Sequence, residues 1–247
     1  PLMATLPPIM APDGKKKLGK RDGAKDILDY KAEGYLPEAM LNFLVFIGWN
    51  PGDEREVMTS QEFIDAFDIA RIHRSGGGFN VEKLNWFNRE HIKKISADEQ
   101  KSYIKKFLPE RFANLSDAIL DKLVPVIIER IHYFGEVADM AEQGEFDYYL
   151  NAPTFDESKL VWKTDTLEQS KDHLKKTYDL LNDYSGEWNA ENIKSVIWGY
   201  AETVGRGNVL WPMRYTLSGR DKSPDPFVLA DILGKEETLK RIKSHIA

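Results

Sequence analysis

The chain holds 247 residues, 42% of them hydrophobic and 30% charged, with a formal net charge of -6. Such a length buries one large core or two modest ones, and the acidic balance leaves nucleic-acid attraction to local basic patches. With no cysteine and five scattered histidines, disulfides and thiolate zinc sites are excluded and a metalloprotein is disfavoured.

Helical signals dominate from residue 36 onward. Residues 36–48 read as a helix with Pro37 in its first turn and Gly48 as its stop, apolar on more than one face through Met40, Leu41, Leu44, Val45 and Ile47. Thr59-Ser60-Gln61-Glu62 is a capping box that makes Phe63, Ile64 and Phe67 core candidates. Asn80 caps a helix carrying Leu84, Phe87 and Ile92, and Ser96 opens a second capping box before Tyr103, Ile104 and Phe107. Ser116 begins a segment with Ile119, Leu120 and Leu123 that Pro125 ends or kinks, and residues 126–140 continue in helical rhythm.

Further helices are predicted over residues 167–181, after the cap Asn189 (Ile193, Val196, Ile197, Tyr200, Val204), and at the end (Leu239, Ile242, Ile246). The strand candidates, residues 160–162 and 209–217, are short and weak. The longest apolar run, 40–49, falls short of the roughly 20 residues a bilayer needs. The proline-broken amino end lacks a basic leader region, so a soluble intracellular protein is expected, and Pro1 in place of an initiator Met points to a piece of a longer chain.

Three stretches hold candidate binding chemistry. Five of the seven residues from Lys15 to Arg21 are cationic, with Gly14, Gly19 and Gly23 in or around them. Backbone amides and ammonium groups in a glycine-flexed loop suit a polyphosphate, although by composition alone such a run is more often a solvated basic turn. Arg71-Ile72-His73-Arg74 and the stretch Leu84 to His91, with Trp86, Phe87 and Arg89, set aromatics beside Arg and Asn, as stacking on splayed RNA bases requires; the same spacing also describes ordinary core aromatics. Gly205 to Tyr215 places Arg206 and Arg214 around a Trp-Pro step, read as a turn that either binds or merely fixes the last bundle.

In order along the chain these stretches resemble a known family. Lys17-Leu18-Gly19-Lys20-Arg21 is similar to the second signature of class I aminoacyl-tRNA synthetases, K-M-S-K-S, commonly K-L-S-K-R in glutamyl enzymes. Gly34-Tyr35-Leu36-Pro37-Glu38, Gly48-Trp49, Phe79 to Trp86, Trp211-Pro212-Met213-Arg214, Ser218-Gly219 and Leu233 to Glu237 follow the same branch. The whole resembles the carboxy-terminal portion of a bacterial-type glutamyl-tRNA synthetase, with Gly19 departing from the usual Ser and no counterpart of the amino-terminal signature.

The resemblance implies a mainly α fold: the end of a catalytic domain (residues 1–23), a helical stem-contact domain (24–96), then a two-part anticodon-binding cage (97–150 and 151–247). It implies Lys17 and Lys20 as the catalytic cations and Leu18, Gly19 and Lys20 as the ATP contact. For tRNA it points to Arg21, Arg71, Arg74, Trp86, Arg89, Arg130 on a bundle helix, Arg206 and Arg214. The full-length enzyme would take glutamate, ATP with Mg2+ and tRNA(Glu) as a cytoplasmic monomer with no membrane partner; the chain by itself would bind no ATP and be inactive. The alternative reading is a non-catalytic RNA-binding or interaction module derived from that family.

Overall fold

In a computed structural model, residues 3, 5–19 and 25–246 are described. Among them lie thirteen α-helices and no strand, only three isolated β-bridges. Two compact units form: Pro1–Leu108 with Ile127–Asp139, and Pro109–Val126 with Met140–Ala247. The chain crosses from one to the other at 108/109, 126/127 and 139/140.

The first unit contains α1 (Ile27–Ala32), α2 (Pro37–Gly48), α3 (Ser60–Ala66), α4 (Val81–Lys94) and α5 (Ala97–Phe107). Asp26, Thr59 and Ser96 each close a capping box, and Asn80 caps α4 by accepting from the Lys83 N–H. Helix α2 packs on α4 around an aromatic core of Tyr30, Tyr35, Phe43, Phe79 and Phe87. Two buried amides tie loops to that core. Asn42 donates to the Glu56 carbonyl and accepts from the Met58 N–H at 2.8 Å, with the His91 ring at 2.9 Å. Asn88 accepts from the Leu36 N–H at 2.8 Å and donates to the His132 carbonyl. Burial lowers the His91 pKa, because the imidazolium would lose its hydration.

The core prediction fails at Ile64 and Phe67, which are 69% and 58% exposed. Helix α3 has only seven residues and turns one side inward, so Phe63 packs on Trp49 and Met58 while Ile64 points away. Phe67 lies just past the helix with its ring stacked 6.0 Å from that of Trp49.

Helix α6 (Asp117–Ile128) runs through Pro125 rather than ending there, because Leu123, Val124, Ile127 and Ile128 are all buried along it. Continuous helix over 126–140 is not seen. The chain breaks after Ile128 and resumes as α7 (Glu136–Glu142), since the Phe134 and Gly135 N–H groups donate to the Gly34 and Glu33 carbonyls.

The second unit holds α8 (Asp147–Leu150), α9 (Leu167–Asp183), α10 (Ala190–Val204), α11 (Arg206–Ser218), α12 (Pro226–Leu233) and α13 (Lys235–Lys243). Helix α11 lies at the centre, packed on α9, α10, α12 and α13. Both strand candidates are overturned here: residue 160 ends a 3-10 turn and 209–217 lie inside α11. Val209, Met213 and Leu217, at i, i+4 and i+8, are fully buried. At roughly 1.5–3 kcal/mol each, that burial outweighs the roughly 3 kcal/mol cost of Pro212 in the helix. Val204, at the end of α10, is exposed, and Ile246 lies beyond α13.

Candidate nucleic-acid interface

The cationic loop grows from a joint in the first unit where three short backbone segments meet through isolated bridges. Residues 9–11 pair on one side with 16–18, through the Ala11 N–H to the Lys16 carbonyl (2.8 Å) and the Leu18 N–H to the Ile9 carbonyl (2.9 Å). On the other side they pair with 77–79, through the Met10 N–H to the Gly77 carbonyl and the Phe79 N–H to the Met10 carbonyl. Two of the glycines at 76–78 are demanded by close packing: a Cβ on Gly76 would stand 2.4 Å from the Pro8 carbonyl oxygen, and one on Gly77 2.7 Å from that of Ile47 in α2.

A tight turn at Gly14 (φ 69) then leads Lys15, Lys16 and Lys17 out along an exposed edge, while Leu18 rests against the aromatic core and Gly19 is half-buried. Lys20 and Arg21 lie outside the described residues. Among the described residues no group of three or more His, Cys, Asp or Glu side chains is arranged to hold a metal ion.

The other candidates of this unit do not converge on one pocket. Arg71 ends a 3-10 turn, pairs with Asp68 at 3.8 Å and lies over Gly52; Arg74 is exposed nearby in sequence. Trp86 is 39% exposed on α4. Arg89, one turn on, donates to the Glu129 carbonyl at 2.7 Å and pairs with the Glu129 carboxylate at 3.6 Å. Arg130 does not sit on a helix as expected: it lies in the turn past α6, with its N–H donating to the Ile127 carbonyl, because the chain must leave the helical path to reach residues 33 and 34.

In the second unit Arg206 and Arg214, eight residues apart, share one cleft, because α11 carries them on the same side. The cleft encloses about 310 Å³ and is lined by Trp162, Arg206, Gly207, Leu210, Trp211, Arg214, Asp225 and Pro226. The Trp162 and Trp211 rings lie 5.2 Å apart at 39°, and the Trp211 indole N–H donates to the Lys159 carbonyl. Arg214 stands 4.9 Å over the Trp211 ring and donates one N–H to the Asp221 carbonyl. Arg206 stands 4.5 Å over Trp198 and pairs with Glu202 at 2.8 Å, holding that carboxyl below the usual range by its hydrogen bond.

The Asp225 carboxylate accepts from the Phe227 and Val228 N–H groups at the start of α12. The result is a slot with aromatic walls and cationic edges, able to stack a planar base and bond its polar rim. Sequence reading missed Trp162. Its place is set by Gly207, where a Cβ would stand 2.0 Å from the Trp162 indole nitrogen, and the two residues are 45 positions apart.

Residues 82–246 match the anticodon binding domain family, and residues 5–86 match the class I tRNA synthetase (E and Q) catalytic domain family. Glutamate–tRNA ligase of Christiangramia forsetii is 33% identical over the whole chain, and that of Phocaeicola vulgatus 35% identical over 98% of it. A crystal structure of a glutamate tRNA ligase from Elizabethkingia meningosepticum, in complex with its amino acid, superposes with a TM-score of 0.78 at 32% identity over 98% of this chain and 51% of that one. The chain spans about half the length of the curated relatives it matches. The cationic loop, the glycine joint and the helical bundle with its aromatic cleft therefore sit in a member of the glutamyl-tRNA synthetase family, carrying that family's anticodon binding domain.

Proposed function

We propose that this chain is the tRNA-binding portion of a cytoplasmic, monomeric glutamate–tRNA ligase, holding tRNA(Glu) by its anticodon arm in the cleft of the second unit. The observation that carries the reading is the convergence of Arg206 and Arg214 on a cleft walled by Trp162 and Trp211. Unstacked bases bind to such surfaces by stacking and edge hydrogen bonds, while cations meet the phosphates. Arg71, Arg74, Trp86, Arg89 and Arg130 are assigned to the same RNA on the family resemblance, the first four over its stem in residues 24–96 and Arg130 in the cage of 97–150 and 151–247.

For the full-length enzyme the reading adds glutamate and ATP as substrates. The exposed Lys17, at the foot of the glycine-flexed loop, fits polyphosphate oxygens by charge, with Lys20 and Arg21 following in sequence. ATP supplies the adenylyl group that activates glutamate; Lys17 and Lys20 would hold its phosphates and Leu18 and Gly19 would shape the loop around it. The described residues offer no cluster of carboxylates for magnesium, so no step is assigned to that ion.

Filter binding of a glutamate tRNA transcript tests the cleft. Arg214→Ala is expected to weaken binding by about 1–3 kcal/mol, with Arg206→Ala close behind. Unchanged affinity in both would remove the cleft from the tRNA contact. Aminoacylation by the 247-residue chain alone should not exceed a no-enzyme blank.

A further inference from the structure

We infer that the turn 162–165 is a nucleotide clamp: the Trp162 ring stacks a base of the RNA bound in the cleft, and the Lys163 ammonium takes the phosphate next to it. The assignment rests on the RNA-binding reading of the cleft.

Lys163 has φ 52, a positive φ found at no other non-glycine residue among the described ones. The Trp162 carbonyl accepts from the Asp165 N–H at 3.0 Å, which makes Lys163 the first corner of a tight turn where glycine is ordinarily favoured. A side chain held in the left-handed region costs stability that glycine would not, and such strain concentrates at functional sites.

The strained backbone brings the Lys163 ammonium to 5.3 Å from the centroid of the Trp162 ring. Trp162 is half-buried, wedged over Gly207 and beside Trp211, whereas Lys163 is exposed. The indole thus lines a cleft that also holds Arg206 and Arg214, and the Lys163 ammonium stands beside that indole. Of the nearby carboxylates, Glu202 is paired with Arg206, Asp225 caps α12 and Asp165 faces His173 at 4.0 Å, so none of the three is paired with Lys163 or Arg214 among the described residues. That arrangement fits a polyanion with planar bases and fits an acidic protein segment less well, because the latter gains nothing from the paired indoles.

The test uses the full chain and two variants with opposed expectations. Lys163→Gly removes both the cation and the strain. Its unfolding midpoint should equal or exceed the parent's. Its affinity for a glutamate tRNA transcript should fall, with the slope of log affinity against log salt reduced by about one. Trp162→Ala should weaken binding at least about fivefold, and Trp162→Phe should recover most of the loss.

A Lys163→Gly protein that binds with parental affinity and salt slope overturns the inference. So does one that loses stability and affinity together, which would make the lysine a folding residue. Loss of affinity for a polyglutamate peptide with tRNA binding intact would also overturn it. If the parent itself binds no tRNA, the cleft reading fails first and the clamp falls with it, a result distinct from a parent that binds and variants that match it.

Discussion

The two units are held together by different means, and the difference tells structural cations from binding ones. In the first, short segments pair backbone to backbone: 9–11 between 16–18 and 77–79, and 33–34 with 134–135. Buried amides at Asn42 and Asn88 finish what the loops cannot satisfy themselves. In the second, helices pack side chain to side chain and long cations close their carboxyl ends. Lys235 donates to the Asn182 and Tyr184 carbonyls after α9, and Lys122 to the Asp231 carbonyl and carboxylate. Arg241, only 4% exposed, donates to the Tyr148 and Leu217 carbonyls and to Glu237. Arg206 and Arg214 differ from these in lying over indole rings: Arg206 over Trp198 and Arg214 over Trp211, with the Lys163 ammonium beside Trp162.

The largest effect expected from this comparison belongs to the second unit. Arg241→Met leaves two buried carbonyls without a donor and should cost about 3–5 kcal/mol in urea unfolding. A loss under about 1 kcal/mol would mean that helix packing alone carries the unit. Next comes the first unit's joint: Gly77→Ala drives a methyl group into the Ile47 carbonyl and should cost about 2–3 kcal/mol. Hydrogen exchange should place its damage at residues 9–18 and 77–79 and leave the second unit's helices protected.

A smaller effect follows pH. The folded His91 pKa lies below its ordinary 6.5, so the unfolded chain takes the proton first as pH falls. The stability His91 contributes is present above about pH 6.5 and is lost as pH drops toward the folded value, by at most about 1.4 kcal/mol per pH unit. A His91→Gln protein should show a flatter profile between pH 6.5 and 5, and an equally steep one would assign the dependence elsewhere. Smallest is the cap: Thr59→Ala should cost about 1 kcal/mol, because the Glu62 N–H loses its acceptor. A neutral result would show that packing of Phe63 alone sets the start of α3.

Local chemistry was legible where it is local. The caps Thr59, Asn80, Ser96 and Asn189 sit within three residues of the N–H groups they satisfy, so their helices could be read from the chain directly. The start of α12, Asp225-Pro226, carries the same kind of signal and passed unread. The break at 129–135 was not legible, since it answers carbonyls at Glu33 and Gly34 about a hundred residues away. Nor was the helix over 209–217, where Pro212 and the flanking Gly205, Gly207 and Gly219 outvote periodicity until burial against four other helices is counted.

By itself, then, the order of residues determined the helical class, most helix starts, the cationic run and the kinship with glutamyl-tRNA synthetases. Tertiary structure alone decided which arginines share a cleft, why Gly76 and Gly77 leave no room for a side chain, and that Trp162 stands beside Trp211. The reason is range: a cap or an amphipathic period is encoded within a few residues, whereas a cleft exists only after helices distant in the chain have buried their apolar sides against one another.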